Sequence, residues 1–128
     1  SGVVSLTFWC SFCHSCRDVE SRLDRFAREH KDQAVVAAID ASAGETAAGV
    51  QAVAKKTNLS LPILLDAPGK SADLFGVKAT TTTVVIDGHG ILRYRGRFQD
   101  GERVLAADAV QAVLAGKTVA QQETAQRG

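Results

Sequence analysis

Methionine is missing from this chain altogether, and tryptophan and tyrosine occur once each. Aromatic residues make up only 5% of the total, so Ala, Val, Leu and Ile must fill most of any core. Proline is scarce, at Pro62 and Pro68 only. No run of about 18 apolar residues exists, which excludes a transmembrane helix. A charge bias is also lacking. Lysine and arginine together number 15 against 14 acidic residues, a net charge of +1, and both signs are mixed along the chain. That excludes the basic footprint of a nucleic-acid binder. Cysteine is absent outside residues 10–16, so there is no framework of paired cysteines to staple the fold. No signal-peptide pattern is present either. The chain starts at Ser1-Gly2 and enters an apolar strand at once, which reads as a trimmed N-terminus, so the missing targeting segment carries little weight.

What is present is one domain's worth of sequence, 128 residues with 45% hydrophobic content, enough for one core without staples. Val3 to Phe8 is β-rich and mostly apolar, as a buried strand is. From about His14 to Glu29 the pattern turns helical. Val19, Leu23, Phe26 and Ala27 fall on one face, with Arg, Asp and Glu opposite. Ala34 to Ile39 predicts a second buried strand closed by Asp40. A weaker amphipathic helix follows over Glu45 to Lys56, then a short apolar run at Ile63 to Leu65 and a short helix over Lys70 to Phe75. Thr82 to Ile86 and Ile91 to Arg97 flank Asp87-Gly88-His89-Gly90, a strong hairpin signal. Arg103 to Leu114 predicts the last helix, capped by Gly116. Residues 1–119 form the expected domain, with a polar, loosely held tail over 120–128. Early strands alternate with helices, so they should be parallel with crossover helices, and the late hairpin adds an antiparallel pair. The expected class is α/β, a mixed sheet with helices on both faces.

Cys10, Cys13 and Cys16 lie where the first strand gives way to a helix. A thiolate at a helix N-terminus is stabilised, which lowers its pKa. A second cysteine one turn on can resolve a mixed disulfide. His14, when protonated, would lower the pKa further. The spacing admits four readings. Two are redox pairs, Cys13–Cys16 and Cys10–Cys13. The third is a covalent haem site, since residues 10–14 satisfy C-x-x-C-H. Its context is poor, because only His30 or His89 could supply a second axial ligand. The fourth is a metal or iron–sulfur site using all three cysteines, for which only His14 lies near as a fourth ligand. The bland alternative is that the cysteines are small buried hydrophobes. Such tight spacing at a strand–helix junction favours redox chemistry over that alternative.

Phe8-Trp9-Cys10-Ser11-Phe12-Cys13-His14-Ser15-Cys16 resembles the F-W-x-x-W-C-x-x-C of the thioredoxin superfamily, especially TlpA-like and redoxin (AhpC–TSA-type) domains. Phe75-Gly76-Val77, Thr82 to Asp87 with Gly88 and Gly90, and Tyr94-Arg95-Gly96-Arg97 are similar to later segments of the same proteins. The resemblance implies a thioredoxin fold over about Val3 to Val119. It implies a thiol–disulfide oxidoreductase with Cys13 and Cys16 as the catalytic pair, without a cofactor or metal. Trp9, Cys10, Phe12 and His14 would then line the site or tune it. Its partners would be protein thiols or disulfides, with a membrane electron donor or oxidant, in a periplasmic or otherwise extracytoplasmic setting; a cytoplasmic one is the alternative. A monomer is expected. One departure stands out. The family's cis-proline falls at Thr81, so the Thr80–Thr81 bond is trans, or cis at a cost of about 2.5–4 kcal/mol. Thr80 and Thr81 would line the substrate groove.

The remaining residues carry weaker signals. Trp9 reads as core or site wall. His30, at a helix end, reads as surface, and His89 as solvent-facing. Asp40 ends a central strand on the side where open α/β sheets hold their sites. It is a candidate for proton transfer to or from Cys16, with loop capping as the plainer role. Arg93, Arg95 and Arg97 alternate along a strand and so share one face. That pattern is usually a solvated face, and otherwise a docking surface for an acidic partner.

Overall fold

The computed structural model describes residues 2–10, 19–41, 44–57, 59–66, 69–119 and 122–124. Among these described residues nine elements follow in order: β1 (Val4–Phe8), α1 (Glu20–His30), β2 (Val35–Asp40), α2 (Ala47–Lys56), β3 (Ile63–Leu65), α3 (Lys70–Phe75), β4 (Thr82–Ile86), β5 (Leu92–Arg97) and α4 (Leu105–Leu114). The five strands form one sheet in the order β3-β2-β1-β4-β5. β1 pairs with β2, and β2 with β3, in parallel; β1–β4 and β4–β5 are antiparallel. This is the mixed sheet expected from alternating strands and helices followed by a hairpin.

Strand periodicity sorts the core into two faces. Trp9, Val36, Ala38 and Val85 join Leu23 and Phe26 of α1, Val50 of α2 and Ala106, Ala109 and Val110 of α4 in the larger cluster. Phe8, Ile39 and Val84 face the other way, against Ala72 and Phe75 of α3 and Val77. With so few aromatics, small and β-branched side chains do most of the packing. Even the threonines are drawn in, as Thr7 and Thr83 are fully buried and share a hydroxyl–hydroxyl hydrogen bond of 2.8 Å.

The hairpin turn follows from Asp87. Its carboxylate accepts from the backbone N–H groups of His89 (2.8 Å) and Ile91 (3.0 Å), and Gly90 takes the left-handed conformation that the turn requires. His89 is exposed.

Three expectations change. His30 is buried, not on the surface: its ring packs on Phe26 at 4.8 Å, and Nδ1 lies 3.1 Å from the Phe26 carbonyl oxygen. One turn back along the helix, that carbonyl lets the imidazole enter the core with a partner. Glu20 is also buried, although it was placed with the polar face of the helix. Finally, residues 122–124 do not hang loosely. They run parallel to β5, with Arg95 N–H donating to Gln122 O (3.0 Å) and Thr124 N–H to Arg95 O (3.1 Å).

Candidate functional site

The C-terminal ends of β1 and β2 and the chain entering β4 converge at one end of the sheet. β1 runs out into Trp9 and Cys10, both 1% exposed. Trp9 N–H donates to Ile39 O at 2.9 Å, which extends the β1–β2 ladder past the last strand residue. Cys13, Cys16, Phe12 and His14 belong to residues 11–18, which lie outside the described residues. The ends of that segment are nonetheless tied together. The Trp9 indole N–H donates to the Glu20 carboxylate at 3.1 Å, joining the end of β1 to the first turn of α1. Glu20 was not singled out from sequence. Its partner Trp9 lies eleven residues away, so no local pattern links the two.

Asp40 ends β2 on the same side and is fully buried, and its carbonyl accepts from Asp66 N–H at 2.7 Å. Thr81 supplies the third wall. No cis peptide bond occurs among the described residues, so the Thr80–Thr81 bond is trans. The backbone accommodates the missing proline differently, since Thr81 has φ 61°, the one non-glycine residue with positive φ among those described. For a β-branched residue that is a strained conformation. It is held from both sides. Thr81 N–H donates to Phe8 O (2.6 Å), Phe98 N–H donates to Thr81 O (3.1 Å), and the Thr81 hydroxyl donates to Thr80 O (2.6 Å). Phe8, Trp9, Ala41, Ala72, Val77, Lys78, Ala79 and Thr80 line an open cavity of about 140 Å³ at this end of the sheet. The structure therefore brings Trp9, Cys10, Asp40, Thr80 and Thr81 to one end of the sheet. His30 and His89 are not among the cavity-lining residues.

The expected arginine face on β5 is half-buried and engaged: Arg93 pairs with Asp87 (2.9 Å), Arg97 with Asp100 (3.7 Å) and Arg95 with Glu123. Among the described residues, no group of three or more His, Cys, Asp or Glu side chains is placed to hold a metal.

The sequence profile of the AhpC/TSA family matches residues 1–95. The chain belongs to the AhpC/TSA family. This AhpC/TSA chain is 32% identical over 91 residues to the thioredoxin-like protein YneN of Bacillus subtilis, covering 70% of the chain and 53% of YneN. It is 31% identical over 87 residues to the thiol-disulfide oxidoreductase ResA of Halalkalibacterium halodurans, covering 68% of the chain and 49% of ResA. The chain thus spans about half the length of these relatives. Among solved structures, a hypothetical protein of Sinorhizobium meliloti, SMc02350, superposes with a TM-score of 0.87 at 29% identity, covering 100% of the chain and 78% of that protein. The AhpC/TSA chain has the thioredoxin-like fold, and its family model and curated relatives make it a redoxin domain of the thioredoxin superfamily.

Proposed function

We propose that this domain is a thiol–disulfide oxidoreductase whose working pair is Cys13 and Cys16. The reading is supported above all by the convergence of Trp9, Asp40 and the Thr80–Thr81 loop at the sheet end where the cysteine-bearing segment leaves β1. Similarity to the oxidoreductase ResA adds to it.

In the proposed reaction the Cys13 thiolate attacks one sulfur of a substrate disulfide. A Cys13–substrate mixed disulfide forms, and the other substrate sulfur leaves as a thiolate that takes up a proton. Cys16 then loses its proton and attacks the Cys13 sulfur. The Cys13–Cys16 bond forms and the second substrate thiol is released. Two electrons pass from the cysteine pair to the substrate; run backwards, the same steps oxidise a dithiol. In this reading a protonated His14 would favour the Cys13 thiolate. Asp40, buried at the end of β2, is the candidate group for moving the Cys16 proton. Thr80 and Thr81 would likewise border the substrate groove, with Trp9 on its wall, and Phe12, which lies outside the described residues, would add to that wall. Protein thiols or disulfides are the substrates, with a membrane donor or oxidant as redox partner, in an extracytoplasmic setting.

The test is equilibration in graded glutathione buffers, then acid trapping, alkylation and mass mapping of each cysteine. Joint protection of Cys13 and Cys16 at one midpoint, with Cys10 still alkylated after denaturation, is the expected result. If all three thiols resist alkylation until a chelator is added, the site holds a metal or cluster and the redox reading fails.

A further inference from the structure

The C-terminal segment 122–124 and the wall of the Phe8–Trp9 cavity are joined through one side chain. Arg95 sits in the middle of β5, and its backbone carries the parallel bridge to Glu123. One guanidinium nitrogen, Nη2, pairs with the Glu123 carboxylate. The other, Nη1, donates to the carbonyl of Phe75, the last residue of α3, at 3.1 Å. A helix C-terminus leaves its last carbonyls without intrahelical donors, and a cation there also meets the negative end of the dipole. Gly76 is shaped for this contact. Its φ of 67° is the left-handed helix cap, and a Cβ on it would come within 2.6 Å of Arg95 Nη1. Any larger residue would push the guanidinium off Phe75. Immediately past Gly76 come Val77, Lys78, Ala79 and Thr80, all on the cavity wall, as is Ala72 of α3, whose carbonyl accepts from Val77 N–H at 2.8 Å.

We propose that Arg95 is a positioning residue for substrate docking: it anchors the end of α3 and so holds the 77–80 wall of the groove, and Glu123 holds Arg95 in place. The proposal rests on the reading of this sheet end as the docking site of a thiol–disulfide oxidoreductase. It assigns a task to residues 122–124, none of which lines that cavity. A bulky protein disulfide must lie against the 77–80 wall, whereas a small disulfide need only reach Cys13. Loosening the wall should therefore weaken docking of the first and spare reaction with the second.

The experiment uses the full chain and three variants, Arg95→Gln, Arg95→Lys and Glu123→Gln. Steady-state reduction of insulin by dithiothreitol gives KM and kcat separately, and single-turnover reaction of the reduced protein with glutathione disulfide supplies the control. Arg95→Gln is expected to raise KM for insulin about fivefold, with kcat and the glutathione rate changed by less than about twofold. Arg95→Lys, which can still donate to the Phe75 carbonyl, should recover most of the loss. Glu123→Gln should move KM the same way by less. An unchanged KM in Arg95→Gln overturns the proposal, and so does an equal fall with both disulfides, which is the mark of a general structural defect. Amide hydrogen exchange separates this proposal from the functional reading beneath it. If the wild-type chain reduces neither disulfide, the oxidoreductase reading fails. Faster exchange at 77–80 in Arg95→Gln, with β1 and β2 unchanged, then still supports the anchor, and unchanged exchange at 77–80 overturns it.

Discussion

Thr81 shows how one residue can replace a family feature without reproducing it. The resemblance puts a cis-proline there, and this chain instead turns the corner with a trans bond and a positive φ. A proline is locked near φ −65° and lacks the N–H that Thr81 donates to Phe8 O. Thr81→Pro is therefore expected to destabilise the protein by about 3 kcal/mol or more, read as a lower urea midpoint. Stability within about 1 kcal/mol of wild type would mean that the loop has a second conformation of nearly equal energy. The Trp9–Glu20 pair supports a sharper test, because Trp9 is the only tryptophan. Glu20→Ala removes a buried acceptor from the indole N–H, for an expected cost of about 1–3 kcal/mol and a shifted Trp9 emission. Glu20→Gln keeps an acceptor oxygen and should cost less than half as much, by the same urea and fluorescence measurements. Equal losses in the two variants would show that the charge, not the hydrogen bond, is what matters there.

At the level of elements, acidic side chains fasten ends and turns, and their protonation links the fold to pH. Asp66 is held below the ordinary carboxylate value of 3.8 by hydrogen bonds from the Ser71 hydroxyl and N–H at the start of α3. Asp87 is lowered chiefly by the Ile91 N–H, opposed in part by burial and helped by Arg93. For Asp24, burial is the largest influence and acts upward, but two bonds from Ser60 and the charge of Arg28 outweigh it, and the net shift is downward. In each case the unfolded chain binds protons more readily than the folded one. The stabilisation is thus complete above about pH 3.8 and is lost as pH falls through the lower folded values. The urea midpoint should hold level down to about pH 4 and drop steeply below it. Asp87→Asn should lower the neutral midpoint and flatten that drop; an unchanged acid limb would remove Asp87 from the account. These caps also explain what could be read in advance. Short apolar runs, and the Asp-Gly-His-Gly turn, announce themselves through local chemistry, so β3 and β4 fall where their residues suggest. Glu20 and His30 were misplaced because helical periodicity assigns faces by hydrophobicity, and each enters the core by finding a polar partner, the Trp9 indole or the Phe26 carbonyl. The spacing of the cysteines points to a site, but Cys13 and Cys16 lie outside the described residues, and the positive φ at Thr81 has no signature in a run of four threonines.

Across the whole molecule the open question for any five-stranded sheet is its two edges. β3 is short, only three residues, which limits what it can template. β5 is longer and is covered by the chain's own residues 122–124, a segment whose Gln-Glu-Thr composition carries no periodicity to reveal it. The fit is made by Gly96. A Cβ there would lie 1.9 Å from Thr124 Oγ1 and 2.8 Å from its backbone nitrogen. Thr124 itself is 8% exposed, accepting from Arg97 N–H at 2.8 Å and sharing a 2.8 Å hydrogen bond with the Tyr94 hydroxyl. Gly96→Ala should therefore expel the segment while leaving β4–β5 backbone pairing intact, because the clashes are with Thr124 and the Tyr94 hydroxyl and not with the backbone of the sheet. The expected signs are rapid proteolysis beyond Val119 and the loss of about 1–3 kcal/mol, as buried polar groups on β5 and Thr124 lose their partners. A chain ending at Val119 should behave alike and go further. With the β5 edge bare and Leu92 already 42% exposed on the same strand, it should self-associate with rising concentration in sedimentation velocity where the full chain does not. If the shortened chain sediments like the full one and keeps its urea midpoint, residues 122–124 contribute neither edge protection nor stability, and the close fit at Gly96 needs another explanation.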